Sequence, residues 1–243
     1  MENSAPLVTI FCLTYNHRPY IEEAFRGFLK QKTSFPFEVF VFDDASTDGT
    51  SDIVRDYCAK YPEIFRAEIM EQNTYRSPDR IDIIEDAYKN RMRGKYLASC
   101  EGDDYWINEN KLEMQVTFME KNPDVIMTAH ASLKVNTDTG EEIEYRPFFG
   151  NRDLEMESIL IPAVGIPSTA STIVRRECMI RQLSKETPNY IREGGDISHM
   201  LYALLQGRMY YFDCVMSAYR VCVPGGWTDR MEKNADYSIG QHL

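Results

Sequence analysis

The sequence predicts an α/β protein with a Rossmann-like, mostly parallel central sheet flanked by helices. Three observations carry that prediction. Apolar, β-branched runs alternate with amphipathic helical stretches through the first hundred residues, which is how βαβ units with right-handed crossovers read. Three of the strand-like runs end in polar or acidic residues: Asn16, then Asp43-Asp44, then Glu101-Gly102-Asp103-Asp104. In parallel sheets ligands bind beyond the carboxyl ends of the strands, so those three tips converge on one rim.

The elements follow in order. Residues 7–13 form a short apolar run ended by Thr14-Tyr15-Asn16. Ile21, Ala24, Phe25, Phe28 and Leu29 recur at one helical face. A second strand, residues 38–42, runs into Asp43-Asp44, and the polar residues 45–50 make a loop. Ile53, Val54, Tyr57 and Tyr61 mark the next helix, closed by Pro62. Residues 67–70 make a third strand leading to Arg76 and Arg80, and Ile83, Ile84, Ala87 and Tyr88 carry a helix towards Gly94. The fourth strand is residues 96–100, whose tip bears the three acids.

The second half is less regular. Leu112, Val116 and Met119 predict a helix, residues 125–135 a strand, and residues 136–140 its turn before a return strand at Ile143. Residues 154–161 read as a short helix, Pro162 and Pro167 bracket a loop, and residues 170–174 make another strand. A helix runs from Arg176 to Leu183, and Ile197, Met200, Leu201, Leu204 and Leu205 predict another, with Gly207 as its C′ residue. Residues 209–212 and 218–222 look like separate strands. The expected organisation is one domain over 1–243: a nucleotide-binding half near 6–106, an acceptor half near 107–228 and a tail over 229–243.

Composition narrows the function. The 243 residues are 43% hydrophobic and 12% aromatic, enough for a sizeable core, and 38 acids outnumber 27 Lys and Arg for a formal charge of −11. That balance argues against nucleic acid or an anionic membrane as the main partner, since both require basic patches. No apolar run approaches the length of a membrane span and no secretory leader is apparent. Six scattered cysteines read as reduced thiols of a cytoplasmic protein, which could meet the inner face of a membrane peripherally through a partner or a lipid-linked substrate.

The acids at the fourth tip point to a cation. Glu101, Asp103 and Asp104 repel one another when unpaired. A hard divalent ion such as Mn²⁺ or Mg²⁺ relieves that conflict, taking one or two carboxylates together with substrate phosphates. Arg76 or Arg80 could meet a phosphate by a bidentate contact.

Four motifs stand in a fixed order: Thr14-Tyr15-Asn16, the eight residues from Asp43 to Thr50, Glu101-Gly102-Asp103-Asp104, and Asp196 eleven residues before Gly207. This set resembles the family 2 glycosyltransferases of the GT-A fold over roughly residues 6–228. The resemblance implies metal-dependent transfer of a sugar, with inversion, from a nucleotide-sugar donor to a hydroxyl of a glycan, lipid-linked or protein acceptor, as in polysaccharide or cell-envelope assembly. By resemblance Asp103 aligns with the metal-coordinating acid, with Asp104 beside it as second partner or alternative ligand. Glu101 aligns with the acid near the ribose and metal. Asp44 aligns with the acid that accepts from a base imide, uridine being preferred over thymidine or guanosine, and Thr14 and Asn16 line the nucleotide pocket. Asp196 takes the place of the catalytic base.

One position departs from the family pattern. A histidine often follows a Tyr-Arg pair late in the domain, but here Tyr219-Arg220 leads to Cys222, a soft ligand poorly matched to Mg²⁺. That departure motivates a competing reading, a catalytically weak nucleotide-sugar-binding module. A sugar-phosphate nucleotidyltransferase ranks lower, because the first tip lacks a Gly-rich basic loop. Blander roles compete for single residues. Asp196 could only cap its helix, Asp48-Gly49-Thr50 could be a turn, and Arg175-Arg176 a solvated strand end. His17, His130 and His199 read as structural, Trp106 as core, and Trp227 as a possible sugar platform.

Overall fold

The computed structural model describes residues 5–161, 165–224 and 226. Strands β1 (Val8–Thr14), β2 (Phe37–Asp43), β3 (Phe65–Ile69) and β4 (Tyr96–Ser99) alternate with helices α1 (Ile21–Leu29), α2 (Thr50–Lys60) and α3 (Arg80–Asp86), the last continuing into a π turn over Ala87–Arg91. Then come β5 (Tyr105–Trp106), α4 (Lys111–Lys121), β6 (Val125–Asn136), β7 (Glu142–Tyr145), β8 (Arg152–Leu154) and α5 (Met156–Leu160). A 3₁₀ turn over Thr169–Ser171 precedes β9 (Ile173–Arg175), α6 (Arg176–Leu183), α7 (Asn189–Arg192), α8 (Gly195–Gln206) and β10 (Arg208–Val221).

One ten-stranded sheet threads both halves in the order β3-β2-β1-β4-β9-β6-β10-β5, with β7 beside β6 and β8 beside β10. The β1–β2, β2–β3 and β1–β4 pairs are parallel, as the alternation predicts. Beyond β4 the sheet becomes mixed: β9 runs antiparallel to both β4 and β6, while β6 and β10 are parallel.

Successive residues of β1 point to opposite faces. Val8, Ile10 and Cys12 enter a core with α1, α2 and α4, built around Phe25, whose ring lies 4.8 Å from Tyr57 and 4.9 Å from Phe65. Phe11 enters a second core with the π turn, α6 and α8. Both faces are therefore covered, and what stays open is the rim beyond the strand tips.

Several expectations need correction. The two late strands are one strand, β10, with register shifts between Phe212 and Ser217 where the polar Asp213-Cys214 interrupts the apolar run. Gly207 is not a left-handed cap. Its φ of 166° is extended, and what it needs is room, since a Cβ there would lie 2.6 Å from the Asp124 carbonyl oxygen. Arg175 is not a solvated end. Its guanidinium donates to the carbonyls of Val125 and Met119 and to the Tyr96 hydroxyl, tying β4, β6 and α4 together. Trp106 is core, 3% exposed, with its indole N–H donating to the Ala170 carbonyl at 3.0 Å. None of the six cysteines forms a disulfide. Pro162, Trp227 and the expected tail over 229–243 lie outside the described residues.

Candidate functional site

The first three polar tips meet as expected. The Asp44 amide donates to the Thr14 carbonyl at 2.9 Å, and the Gly102 amide to the Leu13 carbonyl at 2.9 Å, so the tips of β2 and β4 flank that of β1. Asn16 adopts a left-handed φ of 57°, tolerable for Asn. Its side-chain carbonyl accepts from the Thr47 amide and its own amide donates to the Ser46 hydroxyl. Asn16 thus fastens the loop after β2 rather than facing open space.

The Asp43-Asp44 tip is fully engaged. Asp43 accepts from the Ser46 amide and hydroxyl and from the Ser51 hydroxyl. Asp44, 3% exposed, accepts from the Thr74 amide at 2.7 Å, the Thr74 hydroxyl at 2.8 Å and the Arg80 guanidinium at 3.1 Å. The acid expected at the nucleotide base is therefore held within the protein, and the arginine expected at a phosphate is what holds it. Arg76 is exposed and does not line the cavity described below. Asp48 precedes α2 and accepts from the Thr50 amide and hydroxyl, so its turn is structural.

The Glu101–Asp104 tip is organised differently. Burial and the negative neighbours Asp103 and Asp196 push the Glu101 carboxyl up to about 8, against the pull of Arg80. Burial, Asp103 and Glu101 likewise push Asp104 well above its ordinary range. Asp104 is 1% exposed and accepts the Arg220 amide at 2.8 Å, which places it behind the turn. Asp103 is partly exposed, at 17%, and Glu101 is half-buried as well. Gly102 has no positive φ; it is needed because a Cβ would come within 2.7 Å of the Thr14 hydroxyl and 3.0 Å of His17 Nδ1.

Two residues at this tip escaped the sequence reading. His17 Nε2 lies 3.7 Å from Asp103 Oδ2, and both His17 Nδ1 and the Thr14 hydroxyl are buried without a hydrogen-bond partner. Burial keeps the imidazole below its ordinary value despite Asp103. Arg220 is 9% exposed and donates to the Asp103 carbonyl and the Glu23 carboxylate. Its guanidinium lies 4.4 Å from the centre of the Tyr105 ring and 5.0 Å from that of Tyr20. The Tyr219-Arg220 pair was the available signal for Arg220. For His17 it was only adjacency to Thr14-Tyr15-Asn16.

A cavity of about 630 Å³ opens beside this tip. Arg80, Glu101, Thr169 and Asp196, from four separate segments, line it. Asp196 does not cap α8, whose N-cap is Gly194; its carboxylate instead accepts from the Thr169 hydroxyl at 2.7 Å. His199, one turn on, also lines the cavity and contacts Gln182 at 2.9 Å.

Among the described residues, no group of three or more His, Cys, Asp and Glu side chains is placed to hold an ion by itself. Cys222 has a left-handed φ of 63°. A divalent cation nonetheless fits the donor chemistry at Asp103. The crowded acids there are short of positive charge, and hard ions commonly complete their shell with substrate oxygens and water. Among the described residues no helix is long and apolar enough to cross a membrane.

The model of the family described as "Glycosyl transferase family 2" matches residues 9–176. The putative teichuronic acid biosynthesis glycosyltransferase TuaG of Bacillus subtilis is 38% identical over 120 residues, 49% of this chain and 44% of TuaG. Uncharacterised mycobacterial proteins are 36% identical over 170 residues, 70% of this chain and 47% of theirs, so the chain spans about half the length of the curated relatives it matches. Two solved structures share the fold, each at a TM-score of 0.63. Staphylococcus aureus TarS 1–349 in complex with UDP is 20% identical, covering 88% of this chain and 60% of that one. The mannosyltransferase PcManGT of Pyrobaculum calidifontis with GDP-Man and Mn²⁺ is 19% identical, covering 94% and 61%.

Proposed function

The chain belongs to glycosyl transferase family 2, and from that premise we propose that it transfers a sugar, with inversion, from a nucleotide-sugar donor to an acceptor hydroxyl. The observation that carries the reading is the meeting of Arg80, Glu101 and Asp196 around one cavity. Asp196 is the base. Its carboxylate, aimed by Thr169, takes the proton of the acceptor hydroxyl as the oxygen attacks the anomeric carbon, and the bond to the diphosphate breaks on the opposite side. General-base assistance of this kind supplies ~10²–10⁴ in rate.

The nucleotide lies against the Asp44–Arg80 pair, beside the strand tips that Thr14 and Asn16 shape, with Glu101 towards the ribose. Asp44 reaches a base imide only by yielding part of its bonding to Thr74 or Arg80, and we take uridine as the base, UDP being bound in TarS. Asp103, with Asp104 behind it, would hold Mn²⁺ or Mg²⁺, which would supply Lewis-acid neutralisation of the leaving diphosphate. Arg220 fixes the Asp103 backbone through its carbonyl. We place the protein in the cytoplasm or at the inner membrane face, in polysaccharide or cell-envelope assembly.

The test is a thermal-shift and turnover panel of uridine, thymidine and guanosine diphosphates and their sugars, with and without Mn²⁺. A metal-dependent shift with one nucleotide, and transfer lost in Asp196→Asn with donor binding intact, are expected. Absence of a shift with every nucleotide, or full turnover in Asp196→Asn, refutes the assignment.

A further inference from the structure

We propose that the inner part of this cavity receives an apolar group of the acceptor, so that the reacting hydroxyl is carried on or beside an alkyl or aryl moiety rather than on a wholly polar glycan. This rests on the transferase reading for one point only, that Asp196 marks the acceptor end. Mouth and floor differ sharply. Asp196 and Glu193 at the mouth are exposed, whereas Met127, Val174, Met179, Leu183 and Met200 line the same cavity at no more than 4% exposure.

The floor lies on the acceptor side. Asp196 and Met200 are four residues apart on α8 and so share one face, just over a turn or about 6 Å apart along the axis. Met179 and Leu183 have the same spacing on the neighbouring α6. The nucleotide side of the lining comes from elsewhere, from Tyr75, Ser77 and Arg80. A hydroxyl bound at Asp196 thus has apolar wall one turn below it. An acceptor made only of hydroxyls would set polar groups against those five apolar side chains, which offer them no hydrogen-bond partner. An alkyl chain or ring packs against that wall at no hydrogen-bonding cost. Three of the five are methionines, flexible enough to close on more than one shape. The volume falls within the usual range for small-molecule sites.

The probe is a series of n-alkyl β-D-glucosides, ethyl to decyl, titrated calorimetrically below their micelle concentrations, with UDP titrated separately. Each added methylene should tighten binding by about fourfold until the floor is filled, then add nothing further. Met179→Phe should move that plateau to a shorter chain and leave UDP affinity unchanged; if it does not fold, Val174→Leu on the same floor replaces it. Affinity indifferent to chain length, or rising without a plateau and untouched by either variant, overturns the proposal. UDP binding without chain-length dependence sinks the apolar floor and leaves the transferase reading standing. A plateau in a protein that binds no nucleoside diphosphate leaves an apolar cavity but overturns its assignment to an acceptor.

Discussion

The tips of β2 and β4 both end in adjacent aspartates, yet one is saturated and the other is not. At Asp43-Asp44 serine and threonine hydroxyls, backbone amides and Arg80 supply donors to both carboxylates. At Glu101–Asp104 the Arg220 amide serves Asp104, but burial and the neighbouring acids Asp103 and Asp196 push Glu101 up to about 8. The same residue type therefore does two jobs, set by what faces it. Acids that find donors within the chain lock the loops in place. Acids crowded chiefly by one another are left to be completed by something that binds.

The sharpest way to break this contrast is to neutralise one acid at each tip. Asp103→Asn should leave the melting temperature within a degree or two, abolish the metal-dependent nucleotide shift and lower turnover on the order of 10³-fold, as a Lewis-acid contribution of several kcal/mol implies. Asp43→Asn should do the reverse. Its amide can no longer accept from every serine donor, and losing hydrogen bonds to a buried charge costs about 3 kcal/mol, read by urea unfolding. The metal response of the folded fraction should persist. If Asp103→Asn unfolds the protein and Asp43→Asn only silences it, the two roles are exchanged.

A smaller test separates the turn from its support. Arg220→Lys keeps a charge but cannot reach both the Asp103 carbonyl and Glu23, nor present a flat face to Tyr105. We expect a loss of roughly tenfold in kcat with KM for the donor nearly unchanged, because the turn is misplaced rather than removed. A rise in KM alone would assign Arg220 to substrate binding instead.

How much of this was legible in the sequence follows from the range of the interactions. The β1–β4 half was readable because its strands are local apolar runs and its tips carry contiguous motifs. The mixed half was not. β5 and β8 are too short, at two and three residues, to show a period, and β10 conceals its continuity behind register shifts at Asp213-Cys214. Asp44 was correctly placed on the rim, but its bond to Arg80 spans 36 residues and no local pattern announces it. His17 reads as an ordinary loop histidine until folding brings it beside Asp103. The cavity floor is assembled from β6, β9, α6 and α8, whose methionines are individually indistinguishable from core.

The contrast between satisfied and unsatisfied charge extends to a cation, where the smallest effect is expected. Lys111, at the start of α4, is fully buried, with Gln115 Oε1 at 2.9 Å and the Trp106 ring 4.3 Å away. Burial lowers its amine from near 10.5 to about 7. Because the folded value lies below the unfolded one, the unfolded chain binds more protons between those limits, and stability rises with pH across that window. The cost of burying the charge is fully present below about pH 7 and gone above about 10.5. Lys111→Met should therefore stabilise the protein on the order of 2 kcal/mol at pH 6. The gain should shrink towards pH 10, measured as the difference in urea unfolding free energy from the wild type. A pH-independent difference would mean that Gln115 and Trp106 satisfy the ammonium after all, and that counting nearby donors and acceptors misjudges which buried charges this fold tolerates.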